Sequence, residues 1–139
     1  MDEKQRAYLI VNGMMVDDEF SRWLGVQVLE VDVGYCQLSM TVRSEMVNGF
    51  GVAHGGITFS LADSAMAFAS NGHGQLAVAI SNSISYPALV RVGDELVATA
   101  TEIKVGKSAG FYSVSITCDG AVVADFRGTV HRTNKQHDF

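Results

Sequence analysis

Cysteine is scarce in this chain: Cys36 and Cys118 are the only two, far apart and outside any C-x-x-C motif. A disulfide framework needs more of them, and both fall on alternating strand patterns. They read as reduced core thiols, which fits a cytoplasmic protein. Charge is also sparse, at 18% of residues against 47% hydrophobic, with a net charge of −5. No basic block, C2H2 spacing or aromatic–basic stripe is present, which argues against a nucleic-acid partner. His54, His73, His131 and His137 lack the spacing of zinc ligands, so no metal is expected. The G-x-S-x-G elbow of serine hydrolases is missing, because Ser60 stands in T-F-S-L-A. No apolar run reaches the roughly 18 to 20 residues of a membrane span. The opening MDEKQRAYLIVNGMM carries acids and only a short apolar patch, unlike a secretory signal. Repeats, linkers and low-complexity segments are absent as well. What remains is a chain of one-domain length, able to bury a core. Its low charge suggests that a partner subunit covers part of the surface.

The pattern of apolar residues divides the chain. Tyr8, Leu9 and Val11 give a weak helical period over Glu3–Met15, and a second short helix is expected over 17–23. Residues 26–33 (VQVLEVDV) then alternate like a strand, with one slip at Leu29. After Gly34, Cys36, Leu38, Met40 and Val42 occupy one face and Gln37, Ser39, Thr41 and Arg43 the other. That period of two predicts a half-buried antiparallel hairpin. A glycine-bearing loop, 44–53, leads to the long apolar run, and an Asn71–Gly74 break ends it. Strands are expected over 76–86, 95–105, 111–118 and 121–131, with Gly106-Lys107 and Asp119-Gly120 as hairpin turns. The expected organisation over 1–139 is a helical segment at 1–24, a core at 25–132 and a frayed polar tail at 133–139.

The most informative stretch is 55–70, GGITFSLADSAMAFAS, in which Asp63 is the sole charge. It lacks proline, is too long for a strand, and is small or apolar on all sides. A helix that is hydrophobic all round is buried, so Asp63 is expected inside protein. Buried charges persist when paired, hydrogen-bonded or functional. Two readings stand side by side: a structural acid satisfied by Ser60 or Ser64, or a working carboxylate. Asp is a poor helix former, and Asn or Ser would supply similar hydrogen bonds without the charge. The simplest cover for such a helix is a curved antiparallel sheet, with a second copy of the chain over the remaining side.

Asn48-Gly49, His54-Gly55-Gly56 and Asp63 form the candidate set. The glycines open the helix, where free N–H groups and the macrodipole favour negative charge. An oxyanion forming on a carbonyl would be held well there. The plainer role of Gly55-Gly56 is to permit a sharp loop-to-helix turn. Gly55 and Asp63 are eight residues apart, roughly 12 Å along a helix axis. A base and an oxyanion donor must each come within about 3 Å of the reacting group or its water. One helix cannot easily do both, whereas two antiparallel copies in a two-fold dimer can.

The segment VNGFGVAHGGITFSLAD, residues 47–63, resembles the signature of hotdog-fold acyl-CoA thioesterases, most closely the phenylacetic-acid-degradation (PaaI) type. The similarity extends through Ile84-Ser85-Tyr86, Val92-Gly93-Asp94, Val105-Gly106-Lys107 and Phe126-Arg127-Gly128-Thr129, covering about 20–132. This resemblance implies an α+β hotdog fold, a long helix wrapped by an antiparallel sheet, paired into homodimers and often homotetramers. It implies thioester hydrolysis without a cofactor, on aryl-acyl substrates such as phenylacetyl- or hydroxyphenylacetyl-CoA, or on medium-chain acyl-CoA. Asp63 matches the catalytic carboxylate, as general base or nucleophile. Gly55 N–H matches the donor to the thioester carbonyl. Asn48 matches the loop Asn of the opposite subunit, and His54 the His near the carbonyl, or a buttress of the loop.

Some positions depart from that pattern. Pro87 follows Tyr86 directly, and Ala67 and Ala79 stand where some relatives hold water with Ser or Thr. Ser81, Asn82 and Ser83 are the candidates to replace them. Met46, Phe50, Phe59 and Met66, with Met14 or Met15, are candidates for an acyl pocket. Arg91, Lys104, Lys107 and Arg132 are candidates for the CoA phosphates; each has ordinary core or surface duty as its alternative. Two other functions compete. A hotdog hydratase or dehydratase would add water to a crotonyl-type thioester without freeing thiol. An acyl-CoA-binding protein would bind tightly with no thiol release.

Overall fold

The computed structural model describes residues 1–138. The chain runs α1 (Glu3–Asp17), α2 (Glu19–Leu24), β1 (Gln27–Asp32) and β2 (Tyr35–Thr41). A 3-10 turn (Ser44–Met46) then precedes α3 (Gly55–Asn71). Four strands follow: β3 (Gln75–Ser85), β4 (Glu95–Val105), β5 (Ala109–Cys118) and β6 (Ala121–Gln136). All pairings are antiparallel, in one six-stranded sheet of order β1-β2-β4-β5-β6-β3. With α3 held against the inner face, this is the hotdog fold.

The local chemistry explains these elements. The β1–β2 register shifts between Val28 and Glu30, so Leu29 is bulged out, where the alternation slips. Asp119 and Gly120 both adopt positive φ, 50° and 82°, as a two-residue hairpin turn demands. Arg43 latches α2 to the sheet. It donates to the Trp23 and Leu24 carbonyls at 2.6 and 3.1 Å and lies 4.9 Å above the Trp23 ring.

Leu61, Ala62, Ala65, Met66, Phe68 and Ala69 of α3 are fully buried against Leu38, Leu96, Ala98, Val114 and Phe126 of the sheet. The alanines let backbones approach, and the larger side chains fill the spaces between them. Cys36 is buried in this core, and that burial pushes its thiol up to about 12. Asn71 fastens the helix end to β3: its amide donates to the Ala67 and Ala77 carbonyls, and its Oδ1 accepts from Ala77 N at 2.9 Å.

The chain end departs from expectation. Instead of fraying, residues 133–136 continue β6, with Gln136 opposite Gln75. Thr133 Oγ1 donates to Leu76 O at 2.7 Å, and His137 N to Gly74 O at 2.8 Å. Ladder hydrogen bonds hold this polar stretch where apolar burial does not. Phe139, the last of the expected tail, lies outside the described residues. No helix of the described residues is long and apolar enough to cross a membrane.

Candidate active site

Asp63 sits mid-helix on the α3 face turned toward β3, and is half-buried in the single chain rather than sealed. Its side-chain partner is Asn82 of β3, whose Nδ2 donates to Asp63 Oδ1 at 3.2 Å. Asn82 Oδ1 is itself buried and unpartnered among the described residues. Burial pushes the Asp63 carboxyl above the ordinary range, the Asn82 bond pulls it down, and the charge of Asp18 pushes it up. Neither Ser60 nor Ser64 bonds to it, and Ser64 is engaged elsewhere. Ser64 Oγ meets Ser21 Oγ at 2.8 Å, which in turn donates to Asp18 at 2.6 Å. Asp63 opens onto a cavity of about 340 Å³ between α3 and β3, whose walls include Met66, Ala67, Leu76, Val78 and Val130. A half-buried carboxylate facing an apolar hollow is a perturbed group with access to a ligand.

The N-terminus of α3 is built by the loop before it. Val47 bridges Ala53, His54 N donates to Met46 O at 2.8 Å, and Ala53 N to Val90 O at 2.7 Å. Asn48 shapes the tip, with Oδ1 accepting from Phe50 N at 2.9 Å and Val52 N at 3.4 Å. Its Nδ2 makes no hydrogen bond among the described residues. His54 caps the helix, its Nδ1 accepting from Gly56 N at 2.8 Å. That bond fixes the tautomer, leaving the proton on Nε2 as a free donor. Gly55 N–H has no partner among the described residues. Tyr86 Oη donates to Gly55 O at 2.9 Å, and a Cβ on Gly55 would stand 3.0 Å from that hydroxyl. An unpartnered N–H at the positive end of a helix, beside an imidazole N–H, is equipped to hold an oxyanion.

Capping and chemistry at His54 are separable. Asn is among the strongest N-caps, so His54→Asn is expected to keep the melting temperature while removing the Nε2 donor. A drop of about tenfold in kcat/KM, roughly 1.4 kcal/mol, is expected. Native kinetics in a folded His54→Asn protein would confine His54 to the cap.

The other candidates scatter. Of Met46, Phe50, Phe59 and Met66, Met66 alone is placed on the wall of the Asp63 cavity, joined there by Met14 of α1. Met46 is core and also borders a separate cleft of about 360 Å³ with Phe20, Trp23 and His54. Phe50 is 91% exposed on the loop, and Phe59 packs edge-on against Phe126 at 5.5 Å. Met15 packs against the core. Ser81 and Ser83 do not join Asn82 beside Asp63. Strand alternation turns them to the outer face, where they border a hollow with Phe111 and Arg127. Lys104, Lys107 and Arg132 gather at the β4–β5 hairpin, where Arg132 Nη1 donates to Gly106 O at 2.7 Å. Arg91 lies apart from them, on the loop between β3 and β4.

A family model, the thioesterase superfamily, matches residues 50–124, the span from the loop tip through α3 to β6. The chain belongs to the thioesterase superfamily. This thioesterase is 38% identical to the Escherichia coli acyl-coenzyme A thioesterase PaaI, covering 91% of this chain and 91% of that protein. The solved E. coli PaaI structure superposes with a TM-score of 0.95 at 35% identity, over 97% of this chain and 99% of the other. Human acyl-coenzyme A thioesterase 13 is 32% identical, over 90% of this chain and 93% of that protein. A Streptococcus mutans protein solved with acetyl-CoA shares the fold with a TM-score of 0.78 at 26% identity, over 81% and 91% of the two chains.

Asp63, Gly55 and His54 are candidates that the sequence offers, whereas the capping bond of His54 and two supports of the site emerge only from the structure. Tyr86 anchors Gly55 from 31 positions away, a separation no local pattern reveals. Gly128 is the other: a Cβ there would overlap Met66 Sδ and stand 2.7 Å from Asn82 Oδ1. A glycine inside a strand is a known mark of close approach, and that signal was present in Arg127-Gly128-Thr129.

Proposed function

We propose that this protein hydrolyses acyl-CoA thioesters to free acid and CoA at a site shared by two copies of the chain. One observation carries this reading. The perturbed carboxylate of Asp63 and the free N–H of Gly55 lie on one helix, roughly 12 Å apart along its axis. A partner helix running the other way brings Gly55 of one copy toward Asp63 of the other. In that arrangement Asp63 activates water or attacks the carbonyl itself. Gly55 N–H, with His54 Nε2–H beside it, holds the oxygen on which charge develops. The free Nδ2 of Asn48 positions the water or reacting group from the opposite subunit.

The edge strand β3 supplies a place for that partner. β3 is unpaired on its outer side among the described residues, and carries Val78 and Ile80, 47% and 63% exposed. Such an edge is a template for a second copy. A homodimer through this seam, and a homotetramer through exposed Ile103 and Phe111 on the outer sheet face, complete the assembly. The acyl group occupies the Asp63 cavity, whose apolar walls suit a phenylacetyl, hydroxyphenylacetyl or medium-chain group. Lys104, Lys107 and Arg132 serve the CoA phosphates. The names of PaaI and of the human relative as acyl-CoA thioesterases, and the acetyl-CoA complex, support this class. A cytoplasmic role in phenylacetate catabolism is consistent with it.

A panel of CoA thioesters read by a thiol trap tests the proposal, and tight binding with no thiol released would overturn it. The same assay has a pH signature. Asp63 acts ionised in either role, and burial raises its proton affinity. We expect kcat/KM to climb with pH through an apparent pKa above the ordinary value of about 3.9, then level off. A profile with no acid limb above that value would remove the perturbed carboxylate from the rate.

A further inference from the structure

The Asp63 cavity has a neighbour. A cleft of about 660 Å³ lies between α1 and the end of the chain, bordered by Leu9, Ile10, Asp17 and Asp138. Two residues, Met14 and His137, line both spaces. They therefore form the partition between them. Met14 is an unbranched, adaptable filler. His137 is held firmly. Both amide hydrogens of Asn71 go to backbone carbonyls, which leaves Asn71 Oδ1 to accept from His137 Nε2 at 2.6 Å. The His137 backbone N–H is fixed on Gly74 O at 2.8 Å.

We propose that Met14 and His137 set the depth of the acyl pocket, and so determine the length of acyl group this protein accepts. This rests on the acyl-CoA reading above. Asn71, which carries His137, stands eight residues beyond Asp63, roughly 12 Å along α3. The reacting carbonyl takes up about 3 Å of that. The remainder accommodates one aromatic ring or a short run of methylenes. A longer chain meets the imidazole. Behind it lies further room, with Leu9 and Ile10 on its apolar side and Asp17, Asp18 and Asp138 on its polar side. The selectivity is thus carried by the two ends of the chain, α1 and the stretch after β6, while the carboxylate and the helix N-terminus stay untouched.

The test is kcat/KM for thiol release from butyryl- to dodecanoyl-CoA, using the full-length native protein, His137→Ala, Met14→Ala and His137→Gln. Each methylene newly accommodated is worth roughly fourfold. Removing the partition should raise the dodecanoyl-to-hexanoyl ratio at least about tenfold in both alanine variants. His137→Gln, which can still donate to Asn71 and fill the gap, should keep the native ratio. If folded alanine variants show the native length profile, the partition has no role in selectivity. Absence of thiol release by the native protein with every thioester, aryl ones included, would overturn the parent reading as well. That result is distinct from an active enzyme whose profile does not move.

Discussion

Replacing Asp63 with asparagine is expected to lower turnover by at least about 10³, roughly 4 kcal/mol of barrier, in a protein that remains folded. Asparagine keeps the shape and can still accept from Asn82 Nδ2, so geometry is preserved while the base or nucleophile is lost. Stability should move in the opposite direction. The folded state holds the Asp63 proton more tightly than the unfolded chain does. Its favourable contribution is therefore full below the unfolded carboxyl pKa and lost as pH rises through the raised one. At neutral pH the ionised, half-buried aspartate is a liability that asparagine lacks. Asp63→Asn should then melt higher than the native protein at pH 7, with the gap closing on acidification. A folded Asp63→Asn enzyme retaining native turnover would take this residue out of the mechanism.

Gly128→Ala is the second change with a large expected effect. The new methyl would overlap the Met66 thioether and press on Asn82 Oδ1. Met66 is fully buried, so its thioether can give way only into the Asp63 cavity that it borders, and Asn82 is left to absorb the rest of the crowding. Overpacking of this kind costs about 1–3 kcal/mol, or a melting temperature lower by several degrees, at about 4 °C per kcal/mol for a chain of this size. Activity should fall as well, because Asn82 is the group that orients Asp63. Met66→Ala clears the space the methyl needs, although alone it leaves a cavity. The double variant should therefore be markedly more stable than the sum of the two single losses. Strictly additive losses would show that the crowding lies elsewhere.

Much of this architecture was legible in the chain because its physics is local. Cys36, Leu38, Met40 and Val42 alternate; the first three line the inner face of β2 and Val42 is buried just past its end. The apolar run from Gly55 is α3, and the slip at Leu29 is a bulge. The continuation of β6 to Gln136 was hidden because its residues are polar and paired by backbone bonds, which leave no trace in hydropathy. Treating Ser81, Asn82 and Ser83 as equivalent ignored the two-residue period that sends only the middle one toward α3. Asp63 is half-buried in the single chain, on the side of α3 where the apolar composition predicts a second copy as cover.

One strand has a hand on both ends of the machinery. From β3, Asn82 reaches Asp63, and just past its end Tyr86 reaches the Gly55 carbonyl. That strand is also one of the sheet's two edges, β1 being the other. On the two-copy reading, a freshly made chain carries every tool yet cannot bring two of them to one bond. Pairing would act as a safety catch, confining cleavage of cellular thioesters to molecules that have finished assembling.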